Sequence, residues 1–127
     1  MEVDRPWPVP AGHVLISRRW KYAPPPWVMY EAVVNDSAKW LPVRHGVPRP
    51  RVEASRRPDA VLLKPWLDDA ITAVELLIGQ DGYGAAITVL AYGAAAQLPD
   101  ETRRRVRHRL GVVFGAQLRD WVDEPHR

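Results

Sequence analysis

The side chains in this chain that could move a proton, hold a metal or grip an anion are four histidines, fifteen acids and eighteen lysines and arginines. His13, His45, His108 and His126 show no metal-ligand spacing among them. Asp68-Asp69 and the trio Asp120, Asp123 and Glu124 read as ordinary loop and helix-end acids. With no cysteine, disulfides, thiol catalysis and thiolate metal sites are excluded. No GxSxG, P-loop or HExxH pattern is present. Gly79, Gly82 and Gly84 do not open a helix, so they make a turn and not a phosphate cradle. The run from Arg103 to Arg109 points around most of a helical wheel, sits beside Asp100 and Glu101, and lacks interleaved aromatics. It reads as solvated surface, and no nucleic-acid partner is expected. Two polar residues stand out because their neighbours are apolar. Arg18 lies between Ile16 and Trp20 on one strand face; it either snorkels out at a sheet edge, the favoured reading, or holds an anion in a pocket. Gln117 lies within an apolar helix stripe; a buried amide needs partners, so it either caps a backbone group or reads a ligand.

The elements that must position these groups follow from periodicity. His13 to Tyr22 alternates as a strand, with Val14, Ile16, Arg18, Trp20 and Tyr22 on one face. Pro24-Pro25-Pro26 stops it, and a short helix runs from Trp27 to Asn35. Asn35-Asp36-Ser37 ends that helix and caps a second short one from Ala38 to Leu41. Arg51 to Ser55 and Ala60 to Lys64 form a hairpin around Arg56-Arg57-Pro58-Asp59. Ala70 to Ile78 and Ala85 to Tyr92 form another around the glycines. Its inner face carries Val74, Leu76, Ile87 and Val89, while Glu75 and Tyr92 mark the wetter face. Asp100 to Val122 is a long amphipathic helix with Val106, Leu110, Val113, Gln117 and Trp121 on one stripe, widened by Phe114 and Leu118. At 1.5 Å per residue it spans roughly 35 Å and needs a partner layer beneath it. The expected class is α+β, an antiparallel sheet whose inner face is covered by the C-terminal helix.

The 127 residues suit one domain with a real core. Residues 1–12, with Pro6, Pro8 and Pro10 alternating around Trp7, form an extended arm, and residues 13–124 the domain. There is no run of about 18 apolar residues and no basic-then-apolar leader, so a soluble, cytoplasmic protein away from membranes is expected. The formal charge of +3 is modest, and six tryptophans suit a wall or an interface.

One stretch carries a resemblance. After the first strand comes Ala23-Pro24-Pro25-Pro26-Trp27-Val28-Met29-Tyr30-Glu31-Ala32-Val33-Val34-Asn35-Asp36, then Trp40-Leu41-Pro42. Later come Val74-Glu75-Leu76, Gly82-Tyr83-Gly84 and Ile87-Thr88-Val89, then the amphipathic helix. In this order they resemble the START-like (SRPBCC, Bet v 1-like helix-grip) superfamily, which includes polyketide cyclase/dehydrase-like proteins and heat-shock ATPase activator homologues. The resemblance spans about residues 13–122. It implies a cavity between sheet and helix that takes a small hydrophobic ligand without a metal or organic cofactor. Its wall would be Trp20, Trp40, Val74, Leu76, Ile87, Val89, Leu110, Phe114 and Trp121, with Arg18 and Gln117 as polar contacts. It also implies two alternatives: a cyclase or aromatase using Arg18 or Tyr92 as proton donor, or a non-catalytic homodimeric module. Five strands stand where six or seven are typical, so the sheet is trimmed, its cavity smaller or more open, and its edge one that a homodimer could cover.

Overall fold

The computed structural model describes residues 6–42 and 45–124. The expected arm's first five residues lie outside that range. Strands β1 (His13–Tyr22), β2 (Val52–Arg56), β3 (Ala60–Leu63), β4 (Ala73–Asp81) and β5 (Gly84–Ala94) form one antiparallel sheet in the order β1-β5-β4-β3-β2. β1 pairs along its whole length with β5, from His13 opposite Ala94 to Tyr22 opposite Ala85. Its other edge carries Arg19 and Lys21, and Arg119 donates to the Lys21 carbonyl at 2.9 Å. Charges of this kind discourage edge-to-edge pairing.

The β4–β5 hairpin is tighter than the sequence suggests. Asp81 pairs with Gly84, leaving a two-residue turn at Gly82-Tyr83, with Gly82 at φ +59°. Two-residue hairpins need positive φ in the turn, which glycine adopts without steric cost.

Between β1 and β2 lies one helix, α1 (Pro26–Trp40), where two short ones were expected. Asn35-Asp36-Ser37 stays helical. Asn35 hydrogen-bonds Glu31 one turn back, and Asp36 pairs with Lys39 at 3.7 Å. The decisive contact is at the far end. Trp40 is buried and its indole N–H donates to the Ala32 carbonyl at 3.0 Å, which holds the last turn on the body. Tertiary burial overrides the weak capping preference of these residues.

The C-terminal rod is also not uniform. It runs as α2 (Asp100–Leu110), a π-helical stretch from Gly111 to Gln117, and α3 (Leu118–Asp123). The amide of Leu118 bonds back to Val113, five residues away. Such wide turns advance less angle per residue than an α-helix, so residues beyond them lag in phase. The buried stripe is therefore Val106, Leu110, Val113, Phe114 and Leu118. Gln117 and Trp121, expected at its centre, sit on its flank and are only part-buried.

The outer sheet face differs from expectation too. Glu75 is fully buried, and Tyr92 nearly so, where a wet face was expected. In register Glu75 lies between Leu62 and Leu90, whose apolar side chains flank it on the same face. No helix among the described residues is long and apolar enough to cross a membrane.

Candidate functional site

The space between sheet and rod is filled by aromatic rings. Phe114 stacks on Trp66 with ring centres 5.8 Å apart and planes 9° apart, meets Trp40 edge-on at 5.9 Å and lies tilted against Trp20 at 6.2 Å. These are the geometries that aromatic quadrupoles favour. Trp66 comes from the β3–β4 connection, a segment that the sequence reading treated only as loop. Its neighbours Pro65 and Asp68 hid a core tryptophan inside a turn-like stretch. The phenol of Tyr22 donates to the Phe114 carbonyl at 2.6 Å, and burial pushes its pKa well above the ordinary value despite the opposing charge of Arg119. That phenol keeps its proton at neutral pH and is already engaged.

Of the residues expected to line a cavity, Val74, Leu76, Ile87, Val89, Leu110 and Phe114 are all 0 % exposed. They leave no water-sized space beside them and pack as core. Trp20 lies against the rod at its glycines. A Cβ at position 115 would stand 2.8 Å from the Trp20 indole nitrogen, so only glycine permits this approach. Arg18 does not point into the interior. Its guanidinium lies over the Trp20 ring at 4.7 Å and donates to the Arg107 carbonyl at 3.1 Å. That carbonyl also accepts the Gly111 amide where the π stretch begins, so Arg18 acts as a brace from strand to helix.

Gln117 and Trp121 are brought together elsewhere, at the surface, over the buried Trp40. A cleft of about 420 Å³ is lined by Lys39, Trp40, Leu41, Pro42, Gln117, Asp120, Trp121 and Glu124. A second, of about 260 Å³, shares Pro42 and Gln117 and continues along the rod to Leu67, Val112, Val113 and Arg105, His108 and Arg109. A third, of about 460 Å³, adjoins it through Leu67, Arg105 and Arg109 and is lined by Asp68 and Asp69. Together they form one groove between the rod, the end of α1 and the β3–β4 connection. At its midpoint the Gln117 side-chain oxygen is buried and has no hydrogen-bond partner among the described residues. The Trp66 indole nitrogen is likewise buried without one. A buried amide oxygen without a partner is costly.

The groove's electrostatics are set by a pair at its upper end. Arg105 holds Asp68 through two bonds of 2.9 and 3.2 Å, and the Ala70 amide adds a third at 3.0 Å. Burial acts to raise the Asp68 pKa, but these bonds and the charges of Arg105 and Arg109 outweigh it, and the pKa falls below 3.8. Among the described residues no group of three or more His, Asp or Glu is placed to hold a metal ion.

No family model matches the chain, and no curated protein matches it either. Solved structures do. The chain is similar to CalU16 from Micromonospora echinospora at a TM-score of 0.55 and 15% identity, covering 87% of this chain and 73% of that one. It is similar to Ara h 8.0201 at 0.60 and 14% identity, covering 89% of this chain and 100% of the other. It is similar to Aha1 from Colwellia psychrerythraea, whose solution structure is a dimer, at 0.54 and 11% identity, covering 82% and 96%. With a five-stranded curved antiparallel sheet, a helix after the first strand and a C-terminal rod laid across the layer, the chain has the START-like (SRPBCC, Bet v 1-like) helix-grip fold.

Proposed function

We propose that this chain is a binding protein for a small, largely hydrophobic molecule bearing a hydroxyl. The site is the open groove along the C-terminal rod, not a chamber beneath it. The observation that carries the reading is the buried, unpartnered oxygen of Gln117 at the wall shared by two clefts. A hydroxyl both donates and accepts, so it satisfies the carboxamide whichever way the amide is turned. Pro42, Val112 and Trp121 supply the apolar walls that small-molecule sites use. Trp40 and Trp121 serve as walls and Gln117 as the orienting contact. Arg18, Trp20, Val74, Leu76, Ile87, Val89, Leu110 and Phe114 support the site from behind by fixing the rod. No metal or organic cofactor is invoked.

Titration with 2-naphthol, followed by backbone NMR shifts, tests this. Saturable changes at Leu67, Val113 and Gln117, lost in Gln117→Leu, are expected. Absence of saturable binding, or shifts centred on Val74 and Ile87, would overturn it. Turnover has less support, because the interior phenol of Tyr22 is engaged and Arg18 faces the helix backbone. A homodimer through the outer edge of β1, away from the end where Arg119 bonds the Lys21 carbonyl, is the second reading, motivated by the exposed Leu15 on that strand. Sedimentation at micromolar concentration tests it, and a monomer removes it.

A further inference from the structure

β1 stands at one edge of the sheet, with β5 on its inner side. We infer that its outer edge takes an extended segment of an acidic protein partner, added to the sheet as a further strand. The inference is independent of the groove and concerns the rod's other flank, where Gly111, Gly115 and Arg119 meet β1.

The hydrogen-bond pattern carries it. The Gly12 carbonyl accepts from the Ala95 amide, whereas Tyr92, opposite Leu15, turns its carbonyl to Thr72. Bonded and outward residues alternate along an antiparallel pair. The even-numbered residues of β1 therefore face β5, and Leu15, Ser17, Arg19 and Lys21 turn their amides and carbonyls outward. The Lys21 carbonyl has the same phase, since it accepts from Arg119 at 2.9 Å. Among the described residues the backbone groups of Leu15, Ser17 and Arg19 meet no partner on that side. Their side chains are exposed, Leu15 at 46 %.

Charge selects the occupant. Arg18, Arg19, Lys21, Arg107 and Arg119 border this edge. Among the described residues the acid paired with any of them is Asp81, which meets Arg19 at 3.1 Å and Lys21 at 3.6 Å. Arg18 and Arg119 donate to neutral carbonyls, which leaves their charge unbalanced. No free side-chain donor is needed: the strand's backbone makes the bonds, and the charges steer and align the incoming segment. A second copy, pairing antiparallel in one continuous sheet, would bring its own Arg18 and Arg107 to the seam. A strand with alternate acids meets the excess instead, its carboxylates on the rod side and its apolar side chains on the face of Leu15.

The probe is a capped hexapeptide of alternating valine and glutamate, with lysine replacing glutamate in the control. Each is titrated into the full chain and followed by NMR amide exchange. Binding is expected to slow exchange at Leu15, Ser17 and Arg19, while Ile16 and Arg18, already bonded to β5, stay unchanged. The acidic peptide should bind about 10-fold more tightly than the basic one, the scale of a few exposed ion pairs, and the gap should close as salt rises. Ser17→Pro removes an outward amide and no bond to β5, a change that edge strands tolerate, and should abolish binding. Arg107→Gln, at an exposed position, should weaken binding about 3-fold and serves as the second variant should Ser17→Pro fold poorly. Unchanged exchange at Leu15, Ser17 and Arg19, equal binding of the two peptides, or binding untouched by both variants overturns the inference. So does a dimer in sedimentation that protects the same amides and excludes the acidic peptide.

Discussion

The two flanks of the C-terminal rod are built from neighbouring residues yet behave oppositely. On one flank Phe114 sits among Trp20, Trp40 and Trp66 with no exposed surface, and its carbonyl accepts the Tyr22 phenol. On the other, three residues along, Gln117 keeps a buried oxygen without a partner at the wall of an open groove. The first arrangement is what stability favours. The second costs stability, a cost that the proposed binding role would account for. In a helix-grip fold the hollow between sheet and rod is the expected site. Here the tryptophans fill that hollow, and the concave surface that remains lies along the rod's side.

Substitutions can break or sharpen this contrast. The largest effect is expected for Phe114→Ala, about 3–5 kcal/mol of lost stability in chemical denaturation, with Leu110→Ala at about 2–5. A loss under about 1 kcal/mol at Phe114 would mean that the interior is not packed. Gly115→Ala should follow at about 1–3 kcal/mol, because its methyl would press on the Trp20 indole. An unchanged melting temperature would remove the role given to that close approach.

Gln117→Leu should move the other way. Removing an unsatisfied buried oxygen should raise stability by about 1 kcal/mol while weakening 2-naphthol binding. A variant that is both less stable and fully competent to bind would reverse the assignment of the two flanks. A smaller effect is expected for the pH dependence carried by Asp68. Its folded-state pKa lies below its unfolded value near 3.8, so its contribution is present above that value and fades as pH falls through the lower, folded one. Wild type and Asp68→Asn should therefore differ most near neutrality and converge in acid, as read by unfolding at a series of pH values. A gap that widens below pH 4 would have the wrong sign. Smallest of all, His108→Ala should stay within about 0.5 kcal/mol of wild type in stability, since its side chain is exposed.

Much of this molecule was legible in the order of its residues. β1 was read with the limits the structure gives it, because ten residues alternate without interruption between a glycine and three prolines. The second hairpin and the amphipathic rod were readable for the same reason: period two and period near 3.6 are local properties. The site was less legible. Gln117 stood out as a polar residue among apolar ones, yet an ideal helix wheel put it at the centre of the buried stripe. Nothing in the Gly111–Gln117 sequence announces wide turns. They accompany a brace from Arg18, 89 residues before Arg107, and an indole seated on Gly111 and Gly115. Trp66 was missed because its flanking prolyl and aspartyl residues speak of a turn, whereas its ring is placed by stacking on Phe114.

Local pattern thus determined which segments became strands, where the long rod lies and which face of the β4–β5 hairpin packs inward. It did so because backbone period and side-chain polarity act over a few residues. Tertiary structure alone decided that α1 would run unbroken to Trp40, that Glu75 would be buried, that the rod would change phase at Gly111 and that the hollow would close around Phe114. Those outcomes depend on contacts between residues far apart in the chain, where the gain from burying a ring or bracing a carbonyl exceeds the preferences of the local sequence.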